Sequence, residues 1–188
     1  MPHQKQKTLK GFSLGEVILS VAVLTIGLLP ILGAMTGALN TSQDSQETVI
    51  AAGLAQEGVE LVVNVKDNGV LASNDAFVSF SSGNRTCRID YNDAALTTPA
   101  IDDIDCTAAG GDGTFYDLIL SGGFYVHDSN AGTVGKFKRK VFIDYNVGQQ
   151  TASIASAVYW SAHVPNDKST CTTANSCVYS EATLRPWK

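Results

Sequence analysis

The feature that most constrains this chain is the stretch at residues 17–35, VILSVAVLTIGLLPILGAM, which contains no charged side chain. It is the only such apolar run in the 188 residues. As a helix it is apolar on every side, so it needs lipid or other protein around it. The flanking charges set a direction. The first eleven residues carry Lys5, Lys7 and Lys10 and no acid, a charge of +3 with His3 neutral; the other 177 hold 10 Lys or Arg and 18 Asp or Glu, a charge of −8. The positive-inside rule keeps such lysines in the cytoplasm and sends the acidic body across the membrane. An acidic body also argues against nonspecific nucleic-acid binding, and no nucleic-acid partner is expected.

Residues 12–66 read as one long helix in two halves. The first is about 22 residues long, ~33 Å at the helical rise, enough to span a bilayer core. The second opens with the polar residues 40–48 and becomes amphipathic. Ile50, Leu54, Gly58, Leu61 or Val62, and Val65 recur at helical spacing, with Gln56, Glu60 and Asn64 on another face. Asp67-Asn68-Gly69 predicts the stop. Pro30 lacks a backbone donor and crowds the preceding turn, so a helix kink is expected there. Gly33 and Gly37 stand at a spacing that lets helices approach closely.

After Gly69 the pattern turns to β. Residues 77–80 and 85–91 are short candidate strands, and residues 92–113 form a loop with Pro99, Gly110, Gly111 and Gly113. Residues 115–126 are interrupted by Gly122-Gly123. Residues 137–145 place Phe137, Val141, Ile143 and Tyr145 on one face, with Arg139 breaking the pattern. Residues 154–164 place Ile154, Val158, Trp160, Ala162 and Val164 on one face. A hairpin-length loop at residues 146–150 joins these two, and residues 177–184 add a final strand. One long helix followed by a run of strands predicts an α+β fold, the amphipathic half-helix packed on an antiparallel sheet.

Cys87, Cys106, Cys171 and Cys177 all lie on the side predicted to be exported, where four cysteines suggest two disulfides with three possible connectivities. Cys87–Cys106 and Cys171–Cys177 are favoured because each closes a local loop. A zinc site competes, but CxxC spacing and nearby His ligands are missing. No metal or cofactor is expected.

The membrane entry reads Lys10-Gly11-Phe12-Ser13-Leu14-Gly15-Glu16-Val17. A common secretory signal places its apolar region before the cleavage site; here the apolar run follows the small residue Gly11. Cleavage after Gly11 removes the lysines and leaves the hydrophobic helix on the mature chain. Glu16 is the costly residue. A carboxylate at the bilayer centre costs about 2.5–3.5 kcal/mol on insertion scales, less toward the edge. Its natural partner is the N-terminal amine of Phe12, on the same or a neighbouring chain, which would fix axial register between subunits. The plainer reading is a carboxylate helped by the helix N-terminus, about 0.3–1 kcal/mol.

This segment resembles the N-terminal signature of the type IV pilin and pseudopilin family, closely from Gly11 to about Gly33 and more weakly at Ala55-Gln56-Glu57-Gly58-Val59-Glu60. The resemblance implies that a prepilin peptidase, a membrane aspartyl enzyme, cuts between Gly11 and Phe12 and methylates Phe12, and that Glu16 serves assembly. It implies a leader at 1–11, a transmembrane and filament-core helix half at 12–38, and an amphipathic half plus exported β-rich head at 39–188. It implies residence in the cytoplasmic membrane, N-terminus inside, and then in an extracellular filament. The implied partners are other pilin subunits, the prepilin peptidase and an inner-membrane assembly platform. Thr25-Ile26-Gly27-Leu28-Leu29 looks most like minor pilins and minor pseudopilins. Gly15 stands where a bulkier residue is usual, and Pro30 lies earlier than the proline of major pilins; both favour a minor or divergent subunit.

Other constellations have plainer readings. Asp90, Asp93, Asp102, Asp103, Asp105 and Asp112 make the middle loop acidic, but without calcium-loop spacing they read as solvated. Lys136-Phe137-Lys138-Arg139-Lys140 is the only basic cluster of the head and reads as a solvated strand face guarding a sheet edge, ahead of a DNA-binding patch. His127 and His163 belong to no nucleophile-elbow or metalloprotease motif, so the chain is not expected to be an enzyme. Trp160 reads as core; Trp187 fits the sheet or a subunit contact. The rival class is a secreted soluble β-rich binding protein, cut by an ordinary signal peptidase after Thr36-Gly37-Ala38 and starting at Leu39.

Overall fold

A computed structural model describes residue 11, residues 13–73, 75–77, 80, 82–90, 105–107, 115–127, 132–162 and 164–186. The chain divides into two compact units, Met1–Ser45 and Gln46–Lys188. The division falls inside the polar stretch 40–48, where apolar residues no longer surround the helix.

One helix, α1 (Leu14–Ser73), opens the fold. The Ser13 carbonyl accepts from the backbone N–H of Val17 at 3.3 Å, which closes the first helical turn. In the second unit α1 buries Ala51, Leu54, Ala55, Gly58, Val59, Val62, Val65 and Lys66, a stripe at three- and four-residue spacing. Ile50, expected on that stripe, is 44% exposed: Ala51 holds the inward position one residue on. Gln56, Glu60 and Asn64 face solvent, and Gln56 Nε2 donates to Glu60 Oε1 at 3.2 Å. The helix does not stop at Asp67-Asn68-Gly69. It continues to Ser73 because Val70 packs on the core and Gly69 is itself buried; tertiary burial outweighs the turn chemistry.

The rest is an antiparallel sheet of seven described strands: β1 (Gly83–Arg88), β2 (Asp105–Thr107), β3 (Asp117–Ser121), β4 (Phe124–Val126), β5 (Thr133–Asn146), β6 (Thr151–Tyr159) and β7 (Cys177–Leu184). β5 is the spine. One side of it pairs with β3 and then β1, and the other side pairs with β6, which pairs with β7. Gly122 and Gly123 both have positive φ and make the two-residue turn between β3 and β4.

Helix and sheet share two apolar clusters. Val59, Leu61, Val62 and Val65 meet Val141, Ile143, Ile154 and Ile89 in one; Ala51, Leu54 and Ala55 meet Leu118, Phe137 and Val158 in the other, with Trp160 packed against it. Between them the backbones approach closely at Gly58. A Cβ there would collide with Ser156 Oγ and lie 3.0 Å from Arg139 Cδ. A third cluster, Ala157, Tyr159, Cys171 and Cys177, covers the opposite face of β6.

Several expected bounds differ: β1 runs Gly83–Arg88 instead of the expected 85–91, and the stretch 92–113, expected as a loop, contains β2, held to β1 by pairing of Cys87 with Cys106. Phe77 and Phe80, the described residues of the expected strand at 77–80, bound a turn in which the Phe80 N–H donates to the Phe77 carbonyl at 3.0 Å; Asp75 Oδ1, just before it, accepts from the Phe77 N–H at 2.9 Å, and Phe77 stacks on Tyr145 with ring centroids 4.8 Å apart. β6 ends at Tyr159, short of Val164. The chain leaves the sheet so that Pro165 can offer its carbonyl to Lys140 Nζ at 3.1 Å, and proline has no N–H to extend a ladder.

Candidate functional site

Every described residue from Ser13 to Gln46 is exposed. Leu14, Ile26 and Leu29 are at least 70% exposed, and the apolar surface runs round the helix. Soluble proteins do not present such a surface to water. By length and composition, α1 is able to cross a membrane.

Between residues 14 and 36 every hydroxyl is bonded to the helix's own backbone. Ser20 Oγ donates to the Glu16 carbonyl at 2.7 Å, Thr25 Oγ1 to the Ala22 carbonyl at 2.9 Å, and Thr36 Oγ1 to the Gly33 carbonyl at 2.9 Å. Each hydroxyl is thus satisfied within the helix, as required where water is absent. Glu16 is the exception. It stands in the first turn, its side chain exposed, and its carboxylate makes no hydrogen bond or ion pair among the described residues. Ser13 and Glu16 have capping-box spacing, but that reciprocal bond is not made. Gly11 is exposed, and Pro30 lies inside the helix, which continues through it. Residues 1–10 and Phe12 lie outside the described residues.

In the head, the disulfides join Cys87 to Cys106 and Cys171 to Cys177. The first ties directly opposed residues of β1 and β2. All four thiols are thereby engaged, which removes the thiolates a zinc site needs.

The basic cluster is not a solvated edge. β5 is central, and its lysines become more buried along the strand, from exposed Lys136 through half-buried Lys138 to buried Lys140. Lys138 Nζ is 2.7 Å from Asp117 Oδ1, Lys136 pairs with Glu47, and Lys140 is buried. Burial pushes the Lys140 ammonium below its ordinary pKa. Arg139, read as a break in the pattern, in fact keeps the inward parity and is fully buried. Its Nη1 donates to Glu57 Oε1 at 3.0 Å and its Nη2 to the Ile89 carbonyl at 2.7 Å; Nη2 lies 3.6 Å from Asp90 Oδ1.

Asp90, expected in a solvated loop, is also buried. Its Oδ2 accepts from the His127 backbone N–H at 2.9 Å, and its Oδ1 is 2.6 Å from His127 Nδ1. Burial pushes this carboxyl up, but its bonds to His127 and the nearby Arg139 guanidinium hold it below its ordinary value. His127 Nε2 faces the Arg139 carbonyl at 3.4 Å, so the set is a brace from helix to sheet, with no hydroxyl or thiol on the imidazole among the described residues. The alternation carried one signal for it, an arginine at an inward position. Nothing in the spacing joined Asp90 to His127. The acidic residues 93, 102, 103 and 112, His163 and Trp187 lie outside the described residues.

These features define an α+β protein with one membrane-length apolar helix segment and a disulfide-bonded antiparallel head. Comparison with known proteins finds no matching family model, no matching curated protein and no matching solved structure.

Proposed function

We propose that this chain is a structural subunit, a minor pilin or pseudopilin, of a type IV pilus-like filament, processed by a prepilin peptidase and assembled through its N-terminal helix. The observation that carries this reading is Glu16: a carboxylate without a partner among the described residues, on a helix segment where the hydroxyls of Ser20, Thr25 and Thr36 are satisfied internally. An uncompensated charge in an apolar surrounding persists where a partner is to come. Cleavage after Gly11 creates that partner, the amine of Phe12. A neighbour's amine meeting Glu16 would set one subunit against the next, and the apolar segments would bury one another as the filament leaves the membrane. The unbroken helix through residues 36–38 also favours this role over signal-peptidase cleavage there.

The test is the mass of the mature chain, produced with a prepilin peptidase. The expected chain begins at Phe12 and carries one methyl group. A chain that keeps Lys5, Lys7 and Lys10, or one that begins at Leu39, overturns the proposal. Gly11→Leu should block processing, because a bulky side chain obstructs approach to the scissile bond.

A further inference from the structure

On the sheet face away from α1, strands β1, β5 and β6 floor a groove of about 490 Å³. Its lining follows from the alternation. Val141 and Ile143 point toward the helix, so Phe142 and Asp144 point the other way. The register aligns Asn84, Asp144 and Ser153 in one row and Thr86, Phe142 and Ala155 in the next. Ser153 and Ala155 are short, and Asn166, Asp167 and Lys168 rise beside them as a wall. Small floor residues beneath a raised wall make the depression.

Much of the hydrogen-bonding capacity here is unused. Asn84, Thr86, Asp144, Ser153 and Asn166 have no side-chain partner among the described residues. The one cation, Lys168, is engaged by Glu181, and Asp167 Oδ1 accepts from Ser169 and Thr170 at the start of a short 3-10 turn. Among the described residues the groove therefore offers a free carboxylate, two free amides and two free hydroxyls, with no free cation. That balance disfavours a phosphate, sulfate or carboxylate ligand. Half-buried Phe142 and the Ala155 methyl add an apolar strip.

The geometry points to a neutral hexose unit of a glycan as the occupant. Carboxylate and amide groups each offer paired sites that suit neighbouring hydroxyls, and the apolar strip suits the C–H face of a sugar ring. The volume is in the range of small-molecule sites, about 300–1,000 Å³. A cationic peptide would also pair with Asp144 and lend its carbonyls to the donors of Asn84, Asn166, Thr86 and Ser153, so tetralysine serves as the competing probe. This inference stands apart from how the helix is used, since the groove lies wholly in the second unit.

The test uses the full chain in a zwitterionic detergent that carries no sugar. The probes are immobilised neutral oligosaccharides ending in glucose, galactose or mannose, with sialylated and sulfated oligosaccharides and tetralysine beside them. At least one neutral glycan should be retained, with single-site affinity of roughly millimolar. Asp144→Ala and Ser153→Gln, which fills the floor, should each weaken retention about tenfold. Asn166→Ala tests the wall without touching a strand, and Glu60→Ala on the far face should change nothing; thermal melts confirm that each variant is folded. Retention of no neutral glycan, preference for a sulfated glycan or for tetralysine, or retention unchanged by the groove variants would overturn the assignment.

Discussion

Glu16 and Asp90 are both carboxylates in apolar settings, and the chain treats them in opposite ways. Asp90 is answered within the head by His127 and Arg139, and Arg139 also meets Glu57 from the helix. The held-down pKa of Asp90 has a definite sign. Its stabilisation is complete above the ordinary value of 3.8 and is lost as pH falls through the lower folded value. Asp90→Asn should therefore be less stable than the native chain near neutrality, and should lose less stability on acidification from about pH 6 to about pH 2. Urea midpoints across that range measure it; equal slopes for both chains would remove Asp90 from the acid response. Glu16 has no such answer among the described residues. Under the filament proposal, Glu16→Gln should insert and be cleaved normally but enter filaments poorly, because a neighbour's amine would lose its partner. Breaking a buried pair costs about 3–5 kcal/mol, two or more orders of magnitude in an association constant. The measurement is the share of mature subunit in sheared filaments against membranes; normal incorporation defeats the charge-pair mechanism.

Among the elements, α1 changes character along its length. Up to residue 46 its side chains are exposed all round; beyond that a stripe is buried against the sheet. The disulfides secure the elements with least local support. β2 has three residues, and the loop before β7 consists of two single-turn 3-10 segments. Cys87–Cys106 closes a span of 19 residues and Cys171–Cys177 one of 6. Loop-closure entropy then predicts about 3 kcal/mol lost when the first pair becomes serine and about 2 kcal/mol for the second. Denaturant unfolding of the two double variants tests the order. The reverse order would place the larger share in packing, since Cys171 and Cys177 also shield Tyr159.

At the scale of the molecule, the two units ask for different surroundings. The second has its own helix stripe, sheet and apolar clusters. A chain beginning at Gln46 should therefore fold and remain monomeric without detergent, whereas the full chain should require detergent or lipid. Near-UV circular dichroism and light scattering of the truncated chain check this; a truncated chain that aggregates would mean that residues 1–45 are needed by the head.

The amino-acid order alone was enough for the long apolar helix, the α+β plan, the amphipathic stripe and a final strand at Cys177–Leu184, because each rests on a local period. The two local cysteine pairs that the structure joins were also the ones that loop length favoured. Other features needed the fold. Arg139 and Lys140 look like surface residues until β5 is placed in the middle of the sheet, where its neighbours bury both. Asp90 and His127 are 37 residues apart and meet only because the fold returns the chain past β1. The helix overruns its stop signal because burial of Gly69 and Val70 outweighs a turn sequence worth about a kcal/mol. Local periodicity is written residue by residue, while burial and charge pairing depend on neighbours that only the folded chain supplies.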